Sequence, residues 1–202
     1  MLGITYKSAW FMTHRIRYAM QPDMPLGKLL KGTVEVDETF VGGKPRAGSE
    51  PKPKVPVVAL VERGGEVRTR VVSSVTQKNL GKCLNECVSK RAVVNTDQAG
   101  VYIGLLKDWK RHDTVNHSVA EYSRDNQDRT QSGVNHAESF FSLLKRGIFG
   151  AWHHVSKEHL SKYSDEVAFR WNSRKTSDGE RMVAAVKAMD GKRLSYKPLI
   201  GG

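Results

Sequence analysis

Residues 32–43 read GTVEVDETFVGG. Side chains alternate along a strand, so Val34 and Val36 share one face while Glu35 and Asp37 share the other. Glu38 follows at once, making three acids on a run that otherwise suits a buried strand. Carboxylates aimed together from a core strand repel one another and lose hydration. A cation relieves both costs. Oxygen ligands on a rigid scaffold suit Mg²⁺ or Mn²⁺.

Outward from this stretch the pattern continues as strands. VPVVALVERGG and EVRTRVVSSV are two further strand-like runs, with Gly64-Gly65 marking a hairpin between them. The loop GGKPRAGSEPKPK separates them from the first run. Residues 76–90 suit a helix opened by Thr76 as N-cap. RAVVNTDQAG predicts a short buried strand ending on Asp97. Residues 107–133 are polar and irregular, with a short strand at Thr114–His117. In NHAESFFSLLKR, 135–146, Ala137, Phe140, Phe141, Leu143 and Leu144, with Ile148 beyond, fall on one side of a helix and Glu138, Ser139, Ser142, Lys145 and Arg146 on the other. A helix over 157–173, capped by Ser156, and a short one near 179–190 complete the C-terminal part. Upstream, Ala9, Met12, Ile16 and Met20 form one stripe of a helix over 5–20, with Lys7, His14, Arg15 and Arg17 off it. Hairpin-joined strands followed by alternating strands and helices predict an α/β mixed sheet with helices packed on it.

Thirty-three Lys and Arg against 21 acids give the 202-residue chain a net charge of +12, which points to a polyanionic partner, nucleic acid first among them. The excess sits at the ends: +4 over residues 1–31 and +6 over 141–202, but only +2 between. Cys83 and Cys87, four apart on a helix, suit a semi-buried pair in a reducing compartment better than a disulfide. With no membrane-length apolar run and no signal-peptide core, the expectation is a soluble intracellular protein, without a membrane partner.

Asp97 raises the same question as Asp37. It ends a second buried strand, where open sheets place ligand-binding residues. Glu138 stands on a helix whose polar arc also carries Ser142 and, two turns on, Lys145, so a carboxylate and a cation can hold a metal and a phosphate side by side. Singly, each acid is open to a plainer role as turn residue, N-cap or solvated helix residue. Together, in a basic chain, they point to a two-metal phosphodiester site.

VEVDETFVGG, VVNTDQAGVY, VNHSVAEY and the long NHAESFFSLLKRGIFGAWHHVSKEHLSKYSDEVAFRWNSR resemble, in this order, the DDE insertion-sequence transposases, in a branch usually preceded by a zinc ribbon. The resemblance spans roughly residues 2 to 175. It implies an RNase H-like five-stranded mixed sheet at 32–175, preceded at 1–31 by a helical DNA-binding remnant of a helix-turn-helix and followed at 176–202 by a basic tail. No paired CxxC stands before residue 83. The resemblance further implies that Asp37, Asp97 and Glu138 bind two Mg²⁺ or Mn²⁺ ions and that Lys145 assists them. The implied reaction is nicking at the element's ends and transfer of the freed 3′-hydroxyls into target DNA. Terminal inverted repeats, target DNA and a homo-oligomer bridging two ends are the implied partners, and the nucleoid-bearing cytoplasm the implied location. The alternative is a truncated, catalytically idle relic or regulator that only binds DNA.

Candidate DNA contacts are Lys7, His14, Arg15 and Arg17 of the first helix, Lys44 and Arg46 in the Gly/Pro/Lys loop, Arg146 after the amphipathic helix, His153 and His154 beyond it, and Arg170, Asn172 and Arg174 in FRWNSR. The histidines of HHVSKEH straddle a loop and a helix start, an arrangement ill suited to tetrahedral zinc. His117 is a further candidate near the metals. Trp10 and Trp171 suit core packing better than base stacking.

Overall fold

Val57 to Val61 are all buried, on both faces of their strand. This requires a neighbour on each edge and a layer on each side. β2 (Val55–Glu62) accordingly lies between β1 (Thr33–Val41) and β3 (Val67–Val71), antiparallel to both. The β2–β3 turn runs over Arg63–Gly65, with Gly64 at φ +72°, a conformation that costs glycine little. β4 (Val93–Asp97) adds parallel to β1, and β5 (Arg111–Val115) parallel to β4. The order β3-β2-β1-β4-β5 is a five-stranded mixed sheet of RNase H-like type. These features come from a computed structural model that describes residues 2–22, 28–42, 53–115, 123–125 and 131–196.

Register assigns the faces. Val36, Leu60 and Arg68 are directly opposed across three strands and so share a side. The Arg68 guanidinium donates to the Cys87 carbonyl at the end of α2 (Gln77–Cys87), which places α2 on that side. α2 buries Leu80, Cys83, Leu84 and Cys87, with Thr76 accepting the Asn79 N–H as its cap. Both cysteines are buried free thiols. The opposite side belongs to α3 (Asn135–Arg146), which packs on β1 and β2 through Ala137, Phe140, Phe141 and Leu144. The polar stretch expected to be irregular holds β5 and a small hairpin of β6 (Ser123–Asp125) and β7 (Gln131–Gly133). Strands this short show no apolar alternation that a sequence could display, and β5, at the sheet edge, is only partly buried.

Contacts divide the chain into two compact units, residues 25–154 and residues 1–24 with 155–202. In the second of these, α1 (Tyr6–Ala19) packs with α4 (Leu160–Asn172) and α5 (Asp178–Lys187). α4 begins three residues later than expected, without a side-chain cap, whereas α5 carries a complete capping box from Ser177 and Glu180.

The buried face of α1 also departs from the apolar stripe. Met12 is exposed, while His14 is fully buried and Arg17 is nearly so. The cause lies on α4, whose Glu166 receives Arg17 Nε at 2.8 Å and whose Tyr163 ring lies under the same guanidinium. His14 stacks among Trp10, His159 and Tyr163, and neither of its nitrogens has a hydrogen-bond partner among the described residues. Burial first, then the charges of His159, Arg17 and Lys162, lower its pKa to about 4. The unfolded chain therefore binds a proton below about pH 6.5 that the folded chain refuses until about 4. Stability from this group is complete above pH 6.5 and is lost as pH falls through that window. The helical melting temperature is expected to drop between pH 7 and pH 5 by circular dichroism, and His14→Phe is expected to shrink the drop.

Candidate active site at the strand ends

Parallel pairing of β1 with β4 sets Glu35 against Asn95 and ends there. Two residues on, Asp37 and Asp97 project from the same face of the two strands, at their carboxyl ends, where the ladder has opened. Crevices of this kind are where open α/β sheets bind ligands. α3 covers that face and brings Glu138 in its first turn.

Electrostatics link Asp37 to the other acids. The Asp37 carboxyl is pushed up to about 7, chiefly by burial, then by the negative charges of Glu38, Asp97 and Glu138, and the Glu38 N–H opposes the shift by donating to Oδ1. Among the described residues, no cation figures in the groups acting on it. Glu38 points to the other side of β1, where the buried Tyr102 hydroxyl donates to Oε2 at 2.6 Å. Burial raises the Glu38 pKa, Asp97 adds to the rise, and the Tyr102 bond opposes it. Tyr102 itself is held firmly protonated by burial and by Glu38. Asp97 Oδ1 accepts the Ala99 N–H at 3.2 Å, an Asx-type turn that ends the strand.

Glu35, the partner expected to share the burden with Asp37, is instead satisfied. It is fully buried, receives Arg63 Nε at 2.7 Å and the His136 and Ala137 N–H groups at 2.7 and 3.2 Å, and has His136 Nδ1 at 2.9 Å. The acids on that face thus differ in kind: Glu35 is paired, and Asp37 is left to its like-charged neighbours.

Among the described residues, no group of three or more His, Cys, Asp or Glu side chains is arranged closely enough to hold a metal ion. The donor chemistry nevertheless fits a hard divalent cation. Asp37, Asp97 and Glu138 offer oxygens only, and a half-buried carboxylate lifted to about 7 by burial and by other carboxylates is a group that a cation would stabilise.

Lys145 lies exposed on α3 two turns past Glu138, as does Arg146 beside it. α3 runs on into a π-helical turn, Gly147–Trp152, followed by exposed His153, at a positive φ of 58°, and exposed His154. In the helical unit, Lys7 and Arg15 are exposed, with Lys7 over the Tyr196 ring. Arg170 is exposed but tied to Glu166, Asn172 is exposed, and Arg174 stacks on Trp171. Of the expected DNA contacts, His14 is fully buried, and Arg17 is partly buried and paired with Glu166. Lys44, Arg46 and His117 lie outside the described residues. Sequence reasoning missed Arg63, Asn95 and Tyr102. Only Asn95, a polar residue inside an apolar strand pattern, left a trace in the sequence.

A five-stranded mixed sheet with carboxylates gathered where its central parallel strands part places the chain among proteins with an RNase H-like core. The family model for the ISXO2-like transposase domain matches residues 29–172, well over half of the chain, and the chain belongs to that family of insertion-sequence transposases. No curated protein matches the chain. No helix among the described residues is long and apolar enough to cross a membrane.

Proposed function

We propose that this chain is an active DDE transposase that cuts DNA at the ends of its insertion sequence and joins the freed 3′-hydroxyls to target DNA. The observation that carries the reading is that the charges of Asp97 and Glu138, 60 and 101 residues further along the chain, both act on the Asp37 carboxyl. A half-buried carboxylate raised by burial and by neighbouring carboxylates is a group that a bound cation stabilises. Asp37, Asp97 and Glu138 would hold two divalent cations. When bound, these would supply charge neutralisation at the reacting phosphate and a more acidic water.

The remaining roles belong to the chain itself. Lys145, two turns beyond Glu138, presents an ammonium to the phosphate flanking the cut. Arg146, His153 and His154 continue that exposed polar surface and would track the same strand. Lys7, Arg15 and Arg174 offer further backbone contacts in the helical unit. Water displaces the 3′-oxygen in the first step, and that 3′-hydroxyl displaces an oxygen of the target phosphodiester in the second. The same acids serve both steps, and no covalent protein–DNA bond forms.

The reading is tested by incubating the chain with plasmid carrying the element's own inverted ends, in Mg²⁺ or Mn²⁺ and in EDTA. Nicks at the ends that need the metal are expected. DNA bound tightly but never cut under any metal would instead favour the idle regulator. Binding should also weaken steeply with salt. Six neutralised phosphates correspond to roughly a thousandfold loss between 50 and 200 mM. A fluorescence-anisotropy titration that shows no salt dependence would rule out the backbone contacts.

A further inference from the structure

α3 has no cap of its own. Val134 stands at its N-cap position and offers no side-chain acceptor. The N–H groups of His136 and Ala137 go instead to Glu35, on a strand about a hundred residues earlier in sequence. A Ser or Asp at position 134 would satisfy the same donors locally. Borrowing the cap makes the position of the helix conditional on β1.

Two more polar side chains tie down the approach to the helix. Arg63 donates through Nε to Glu35, and through its two terminal nitrogens to the Gln131 and Gly133 carbonyls, the latter at 3.2 Å. Asn95 Nδ2 donates to the Gly133 carbonyl at 3.3 Å, while Asn95 Oδ1 is buried without a hydrogen-bond partner among the described residues. The lattice meets each of the three acids just before it in sequence. Glu35 precedes Asp37 by two residues on β1, Asn95 precedes Asp97 by two on β4, and the amide of Ala137 precedes Glu138 by one on α3.

We propose that Glu35, Arg63 and Asn95 are positioning residues, a largely buried polar lattice one pleat below the acids that sets Glu138 against Asp37 and Asp97. This rests on the reading of those acids as a metal-holding site. The network engages both strands that carry the aspartates as well as the start of the helix that carries Glu138. Partly satisfied buried networks are costly, and Asn95 Oδ1 carries that cost here. The lattice touches no substrate and acts through the helix it holds.

The test uses the full chain, with Mn²⁺ as probe and free ion read by electron paramagnetic resonance. Arg63→Lys keeps the ion pair with Glu35 but cannot bridge two carbonyls, so it perturbs the lattice with little risk to folding. Glu35→Gln is the second variant. Both are expected to weaken Mn²⁺ binding by about 10- to 100-fold, in the range seen when ligand-orienting partners are removed. Amide exchange at His136 and Ala137 should also quicken. Variants that melt at lower temperature yet bind Mn²⁺ as the wild type does would reduce the lattice to a structural role and overturn the inference. An Asp37→Asn chain that binds Mn²⁺ as the wild type does would overturn the reading of the acids first, and would do so without reference to either lattice variant.

Discussion

Asp97→Ala is expected to slow metal-dependent nicking by roughly three orders of magnitude, about 4 kcal/mol of barrier, while the chain still folds and still binds DNA. The separation follows from where Asp97 sits. It is the last residue of β4, half-buried, and its only side-chain hydrogen bond among the described residues closes a local turn to Ala99. Removing it opens no core cavity. It also removes a negative charge that burdens both Asp37 and Glu38, so the fold loses little and the pocket repels phosphate less. Equilibrium binding to end DNA should stay level or tighten, as read by gel shift in EDTA, while the nicked product disappears in Mg²⁺. Nicking at wild-type rate would take Asp97 out of the chemistry. Loss of binding together with loss of cleavage would instead mean that the substitution damages the fold.

Asp37 gives the second large effect, and it is visible without DNA. The unfolded carboxyl ionises near 3.8, whereas the folded one holds its proton to about 7. Between those values the unfolded state binds fewer protons, so stability falls as pH rises through the window and the full cost is present above 7. Holding a partly buried carboxylate ionised against so large a rise costs the fold on the order of 3 kcal/mol, once solvent screening is allowed for. In metal-free buffer at pH 8, Asp37→Asn is therefore expected to raise the melting temperature by about 5–10 °C. Mg²⁺ should raise the wild-type midpoint and leave the variant's unmoved, because ligand binding stabilises only the state that has the site. Calorimetry that shows the variant melting at or below the wild type in metal-free buffer would mean that Asp37 already has a compensating partner.

The main elements were legible because their physics is local. TVEVDETFV and VPVVALVE announce strands through β-branched residues, and NHAESFFSLLKR divides into an apolar and a polar arc, of whose apolar members Leu143 is left exposed. The hairpin at Gly64-Gly65 and the Thr76 cap needed only the residues themselves. Where the reading slipped, the deciding partner was distant. α1 looked like an apolar stripe with its cations facing solvent, until Glu166 and Tyr163 on α4 drew Arg17 inward and His14 with it. The strands of residues 107–133 are short and polar and take their identity from β4 and from each other.

Sequence alone determined that carboxylates stand at the ends of two strand patterns and on a helix arc, because alternation and helical period are set by neighbouring residues. Strand alternation could not tell Glu35 from Asp37, two acids on the same face of the same strand; only the family resemblance picked out Asp37. Only the tertiary structure decided that one would be quenched by Arg63 and the start of α3, and the other left among Glu38, Asp97 and Glu138. A carboxylate's charge is governed by what approaches within a few ångströms, and at this site the groups that approach come from the β2–β3 turn, β4 and α3, far along the chain.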